Sequence, residues 1–549
     1  MFKSAVKSKF LAFLAVIALF CALIFAGGCG GGGGDGSSSS GGQSAPVSPD
    51  TPDSSEAVAV MNAYGGARPS TENGDGFFRT EDENGEKSDW QLTAAAPDSL
   101  YASATEIIVP ANVTYIGSHA FKDTPSVKSI RVMGTPEIAP EAFADCPKLE
   151  YVKIGVGESR TLKEFKKYIA DNKNVSFHIG DRAFANCPNL KTVDFGCVGA
   201  PTVGSDIFGG RTVTVLAPYI YPEEYKKAFK NVSTTGKTWM TDLPDAIRIN
   251  QISIPGTHDT CTKGVDSMFV EQAQTQWLWT GEQWDCGVRA MDLRPIHYSK
   301  YSDMRIYHGG IGCNMDFDDV LGIIRDKLRS MPNDTAIIIV NHETSSPSDL
   351  CQILPTSFWK GNKAIQDQLG EFDDISVKYH KGLTLGEMRG KALFVSRDPE
   401  NDITPHGAYA YGFNKKNNKI GTSETDPSKY ETLWVQDKDN PDGKDDKRAA
   451  LKEYFDDFSK AADGNPNCEI WCFNHTSGYT GGPPFGINYP DNAENVNGWA
   501  ADYIKGSISG PAGFVMMDFA GTHTRKRNTS NYTVYGDTLV NAVIEHNYR

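Results

Sequence analysis

The sequence predicts two folded units in series: a short solenoid of repeated strand-and-turn units, then an α/β barrel. Three observations predict this. One phrase recurs with a period in the low twenties over roughly residues 105–217. From Thr241 onward, apolar strand runs alternate with amphipathic helical stretches. In that second half, polar residues able to do chemistry stand where the apolar runs stop.

The bulk numbers allow this. The chain has 549 residues, of which 39% are hydrophobic, enough for more than one core. Its formal net charge of -15 argues against nucleic acid, whose binding needs Lys and Arg to neutralise phosphates.

The N-terminus reads as an export signal. Lys3, Lys7 and Lys9 precede an uncharged run from Phe10 to Phe25, which is short for a membrane span. Ala26-Gly27-Gly28-Cys29 resembles a bacterial lipobox, so residues 1–28 are expected to be removed and Cys29 to carry lipid. Plain secretion or an uncleaved anchor is the alternative. The Gly/Ser/Pro-rich stretch 29–55 is then a tether, and residues 56–104 are an unassigned lead-in. The chain has eleven cysteines, with no metal spacing; one disulfide is allowed without an assignable pair.

The repeats are placed at 105–240. "VTYIGSHAFKDTPSVKSIRV", "PEIAPEAFADCPKLEYVKIG" and "FHIGDRAFANCPNLKTVDFG" share an A-F pair and a following short strand. Phe121, Phe143, Phe184 and Phe208 hold one slot, while Cys146 and Cys187 share another as small buried spacers. An insertion, "VGESRTLKEFKKYIADNKN", is expected to be helical. This phrase resembles the BspA-like leucine-rich repeats of bacterial surface proteins. The resemblance implies either a binding face for a protein or glycan partner, or a spacer.

Residues 241–549 follow as the barrel. The expected strands are "QISIPG", "VRAMDLRP", "AIIIVNHE", "KALFVSR", "CEIWCFNH" and "GFVMMDF", with helices such as "FDDVLGIIRDKLRSMP" and "DDKRAALKEYFDDFSKAAD" between them. The strand ends deliver His258 and Asp259, Asp292 and Arg294, Asn341, Arg397, Asp437, His475 and Asp518, with His308 shortly after the second. Two histidines can serve as base and acid near neutral pH. An arginine between them offers a planar fork for a phosphate. Such a set suits attack on a phosphodiester, with an internal hydroxyl as the favoured nucleophile.

"SIPGTHDT", "DCGVRAMDLRP" with "IYHGG", "GKALFVSR", "VQD", "FNHTSG" and "GFVMMDF" stand in the order found in the X-domain of bacterial phosphatidylinositol-specific phospholipase C. Residues 245–549 resemble that family. The resemblance implies a distorted TIM-like barrel that converts phosphatidylinositol, or a glycosylated form, to diacylglycerol and inositol 1,2-cyclic phosphate at a membrane surface. It implies His258 as base oriented by Asp518, and His308 as acid partnered by Asp259. Arg294 would stabilise the phosphate, supported by Asp292. Arg397 and Asp437 would bind inositol hydroxyls. Calcium-dependent relatives place a metal where the Arg294 side chain would sit, so no metal and no cofactor are expected.

The sequence also departs from the family. Asn341 stands where members often carry an inositol-binding lysine, and Lys438, Asp439 and Asn440 replace an aromatic residue after "VQD". Headgroup choice is therefore less constrained than the chemistry. His475 is placed in the pocket, with a core histidine as the alternative. Trp284 is assigned to the core, while Trp277 and Trp279 are left between core and lipid contact. "DKDNPDGKDDKR" is read as a solvated loop. The competing functions are a glycerophosphodiester phosphodiesterase, which needs a carboxylate-bound metal, and a surface adhesin with a vestigial barrel.

Overall fold

The computed structural model describes residues 104–549, except 110, 112, 156, 158, 235, 267–269, 298–303, 344–357, 398–406, 410–417, 421–431 and 483–485, together with strands Ala57–Val60, Phe77–Phe78 and Trp90–Leu92. The expected signal, tether and lipidated Cys29 lie outside the described residues, as does most of the lead-in.

The first unit is a solenoid with two ladders of strands. In the longer, Ile107 pairs with Ile130, Ile130 with Val152, Val152 with Val193, and Val193 with Val215, all in parallel. The long step from Val152 to Val193 contains the insertion, whose helix runs Leu162–Asn172 and is capped by Thr161 accepting from the Glu164 amide. The repeated phenylalanines form a buried column. Ring centroids are 5.2 Å apart for Phe121–Phe143, 5.1 Å for Phe143–Phe184 and 6.1 Å for Phe184–Phe208. Cys146 and Cys187 are buried; their thiols donate to the carbonyls of Phe121 and Phe143, one repeat back. All cysteines among the described residues are free, including Cys468 and Cys472.

The second unit is a TIM-like barrel. Its parallel strands are β1 (Ile254–Thr257), β2 (Ala290–Leu293), β3 (Ala336–Val340), β4 (Ala392–Ser396), β5 (Thr432–Gln436), β6 (Ile470–His475) and β7 (Phe514–Met517). Continuous Val, Ile, Leu and Phe runs suit strands buried on both faces. The sheet runs β4-β3-β2-β1-β7-β6-β5, with short strands Gly407–Tyr409 and Asn418–Ile420 at its two edges. Those edges do not pair with each other among the described residues, so the barrel has a seam between β4 and β5. The strands approach closely at Gly256, where a Cβ would fall 2.4 Å from the Met516 sulfur.

The solenoid docks on the barrel face from which the strands start. Arg131 bonds Asp245 at 2.9 Å, and Lys153 donates to the Thr241 carbonyl at 2.6 Å. From the inserted helix, Lys166 donates to the Ser509 carbonyl at 3.0 Å, and Phe165 meets Tyr548 edge-on at 6.0 Å. Burial pulls the Lys166 amine down to about 8. Part of the solenoid's long sheet is thus covered by the barrel.

One stretch differs from expectation. "DKDNPDGKDDKR" is not all solvated loop: the helix Lys444–Ala462 begins within it, and Lys447 is fully buried. Its amine donates to the Lys438 carbonyl at 2.6 Å and lies 3.4 Å from Gln436 Oε1. The helix expected from "DDKRAALKEYFDDFSKAAD" overlaps that loop, and its first turn faces this lysine inward, where oxygens of Lys438 and Gln436 satisfy it.

Candidate active site

Each barrel strand ends in the same cleft. After β1 the chain turns sharply at Asp259, whose φ of 46° is a left-handed conformation that a short polar residue tolerates. The turn is stitched to β2. Thr260 N–H donates to the Asp292 carbonyl at 3.0 Å, and Asp292 N–H donates to Thr260 Oγ1 at 2.9 Å. This fixes His258 and Asp259 against Asp292 and Arg294.

His258 sits between two carboxylates. Its Nδ1 lies 3.0 Å from Asp518 Oδ1 at the end of β7, and its Nε2 lies 3.1 Å from Asp259 Oδ2. His308 arrives from a hairpin, Met304–His308 with Ile311–Asp316, inserted after β2. Its Nδ1 lies 2.7 Å from the Ala273 carbonyl, and its Nε2 points at the same Asp259 oxygen, 3.2 Å away. Asp259 therefore touches both imidazoles, where the sequence suggested His308 alone. The second carboxylate oxygen of Asp259 is 2.7 Å from Arg294 Nε, and Arg294 Nη2 is 2.9 Å from Asp292 Oδ2.

The electrostatics follow from burial and that guanidinium. Burial first, then the Arg294 charge, holds His258 well below the ordinary imidazole range. Burial raises Asp518 well above the usual carboxylate range, although a Gly478 amide bond to its Oδ2 at 3.1 Å opposes this. Burial also raises Asp259, against the pull of Arg294. For Asp292 burial acts upward too, but the Arg294 and Arg397 charges outweigh it and hold the carboxyl low.

Arg397 and Asp437 meet across the seam, Nη2 to Oδ2 at 3.9 Å; Arg397 Nη1 is also 3.8 Å from Asp292. Both are buried, so this is not an exposed surface pair. His475 belongs to the cleft: its ring centroid is 6.2 Å from that of His258, and its Nδ1 is 3.8 Å from Asp437. Burial pushes it down to about 4, so it is neutral at ordinary pH. Asn341 stands half-buried at the end of β3, followed by Glu343, 4.0 Å from Arg294.

His258, Asp259 and Asp292 each present a ligand atom within 4.8 Å of one another, so by type and spacing they could hold a metal ion. The Arg294 guanidinium already bonds both carboxylates, and a cation entering there would compete with it.

Three cleft residues had no role assigned from sequence. Gln276 donates to the carbonyls of His258 and Met517, both at 2.8 Å, and so ties the ends of β1 and β7 together. Lys447 backs the turn that carries Asp437, through Gln436 and the Lys438 carbonyl. Tyr489 begins the helix Tyr489–Ser507, its ring 6.1 Å from that of His308. Gln276 carries no local sequence signal, since one of the strand ends it joins lies 241 positions away.

Trp284 is buried against Arg289 at the start of β2, as expected of a core residue, while Trp277 and Trp279 are 37% and 44% exposed. Arg525 and Lys263 pack on the Trp277 ring at 3.8 and 4.1 Å.

Known proteins are similar to each half. Residues 100–214 match the BspA type leucine rich repeat region in six copies. The chain is 35% identical over 183 residues to the 1-phosphatidylinositol phosphodiesterase of Listeria monocytogenes, covering 32% of this chain and 52% of that relative. It is 25% identical over 329 residues to the 1-phosphatidylinositol phosphodiesterase of Staphylococcus aureus strain Newman, covering 58% of this chain and 97% of that one. The match thus spans about half of the first relative and nearly all of the second. Among solved structures, a phosphatidylinositol-specific phospholipase C from Staphylococcus aureus aligns with TM-score 0.46 and 21% identity over 57% of this chain and 97% of its own. The Listeria monocytogenes enzyme aligns with TM-score 0.40 and 21% identity over 57% and 98%.

Proposed function

We propose that this chain is a phosphatidylinositol-specific phospholipase C of the bacterial type, with BspA-type leucine-rich repeats docked behind its barrel. The observation that carries the reading is the convergence of His258 and His308 on Asp259, with Arg294 bonded to the other oxygen of the same carboxylate.

In this reading Asp518 at Nδ1 selects the tautomer of His258 whose lone pair is on Nε2, and the lowered pKa keeps that lone pair free. His258 takes the proton of the inositol 2-hydroxyl as its oxygen attacks phosphorus. The bond from phosphorus to the glycerol oxygen breaks, and His308 protonates that oxygen, releasing diacylglycerol. The nucleophile belongs to the substrate, so the product is inositol 1,2-cyclic phosphate and the step gains from proximity. Arg294, held by Asp259 and Asp292, meets the charge that develops on the phosphoryl oxygens. Arg397, Asp437 and His475 offer donors and acceptors for the remaining hydroxyls. Asn341 serves that wall as a neutral group.

Trp277, Trp279 and the cations stacked on Trp277 give the rim both apolar and basic character, suited to a lipid interface. The repeats offer a partner-binding surface. Cys29 supports an envelope location as a lipoprotein, with secretion as the other outcome.

The test is phosphorus NMR of the protein with phosphatidylinositol micelles and excess EDTA. A cyclic phosphodiester signal is expected. Activity only after adding calcium would overturn the role of Arg294, and silence under both conditions would overturn the substrate.

A further inference from the structure

The Tyr489 hydroxyl stands apart from the other polar groups of the cleft. Asn488 caps the helix by accepting from the Asp491 amide, which sets Tyr489 as the first helical residue and turns its ring inward. The residue is 5% exposed. The ring is held on two sides, 6.1 Å from His308 and 6.0 Å, edge-on, from Tyr479. Tyr479 is itself pinned by its N–H to the Asp439 carbonyl at 2.8 Å.

Neighbours account for the ring but not for the oxygen. Among the described residues the Tyr489 hydroxyl makes no hydrogen bond, and its oxygen is not one of the fully enclosed polar atoms, so it stays accessible to a bound molecule. Burial, then the charges of Asp259 and Asp518, raises it well above the ordinary phenol range, so it remains a donor at any working pH. The charges that reach it belong to Asp259, Asp518 and Arg294, which in the proposed reaction hold the two histidines and the phosphate of the same cleft.

We infer that the Tyr489 hydroxyl is a further catalytic residue, donating a hydrogen bond to a non-bridging phosphoryl oxygen of the bound phosphodiester on the His308 side, opposite the charge supplied by Arg294. The inference rests on the proposed phosphodiesterase reading. A neutral donor preorganised beside a fixed cation stabilises the charge that grows on phosphorus without adding another buried charge to the cleft. The contact strengthens as that charge develops, so it acts on kcat more than on KM.

The experiment compares the protein with its Tyr489→Phe variant, which keeps the ring and its packing on His308 and Tyr479. Two substrates are used: phosphatidylinositol in micelles, and its water-soluble product inositol 1,2-cyclic phosphate, which has no diacylglycerol and which water opens to inositol 1-phosphate, with His308 taking the water proton and His258 protonating the departing 2-oxygen. The expected result is a fall of about ten- to a hundredfold in kcat for both, with KM changed less than about threefold and an unaltered melting temperature. An active parent with an equally active Phe variant would overturn the role of the hydroxyl alone. A loss confined to KM, or to the lipid substrate, would likewise overturn it, by placing the group on lipid or headgroup binding. A parent inactive on both substrates would overturn the underlying phosphodiesterase reading.

Discussion

The solenoid and the barrel both end buried parallel strands in polar turns, but the turns differ in kind. In the repeats, His119, Glu141 and Arg182 hold equivalent slots with the same left-handed backbone, and they pair with one another near the surface. In the barrel no two strand ends are alike, and the charged groups are taken out of water: Asp259, Asp292 and Asp518 are 3%, 1% and 1% exposed. Exposed ion pairs of the first kind contribute little. Burying three carboxylates around two imidazoles and a guanidinium costs stability, and it makes sense only if the geometry is used. The contrast separates a region built for repetition from one built for a reaction.

Three changes would break or sharpen that contrast. The largest effect is expected at His258. His258→Ala should lower turnover of phosphatidylinositol by about a thousandfold or more while the melting temperature holds, and hydrolysis retained in that variant would sink the mechanism. In the solenoid, Phe143→Ala removes the middle of the ring column, which should cost about 3–5 kcal/mol in denaturant unfolding of the repeats. Turnover at 25 °C should be unchanged, because Phe143 belongs to a core separate from that of the barrel strands. A parallel loss of activity would show that the two units fold as one. The smallest effect is on pH dependence. Because burial and Arg294 lower the His258 pKa, its lone pair survives into mildly acidic solution. The acid limb of kcat/KM should therefore fall below pH 6.5, and a limb above that value would contradict the assignment.

How much of this was legible in the sequence differs between the halves for the same reason. Phe121, Phe143 and Phe184 meet because a period brings them together, and a period can be read along the chain. The barrel strand ends were legible too, since an apolar run followed by His, Asp or Arg marks where a strand meets solvent. The elements that join distant strand ends were not. Gln276 reaches Met517 from 241 positions away, and nothing near Gln276 announces this. The contact of Asp259 with both histidines depends on the path of the hairpin carrying His308. Lys447 sits in a run of charges that reads as wet until the helix starting at Lys444 turns it inward. The seam between β4 and β5, crossed by Arg397 and Asp437, likewise depends on how a sheet curls and not on any local pattern.

The side-on attachment of the repeats gives the molecule a front and a back. Arg131, Lys153 and Lys166 hold the surface from which the strands rise, and the histidines open on the far one, at least the length of a strand away, roughly 13–20 Å. Whatever grasps the repeats holds the protein by its back and leaves the mouth facing outward. Such a grip would decide where the protein works without altering how its chemistry proceeds.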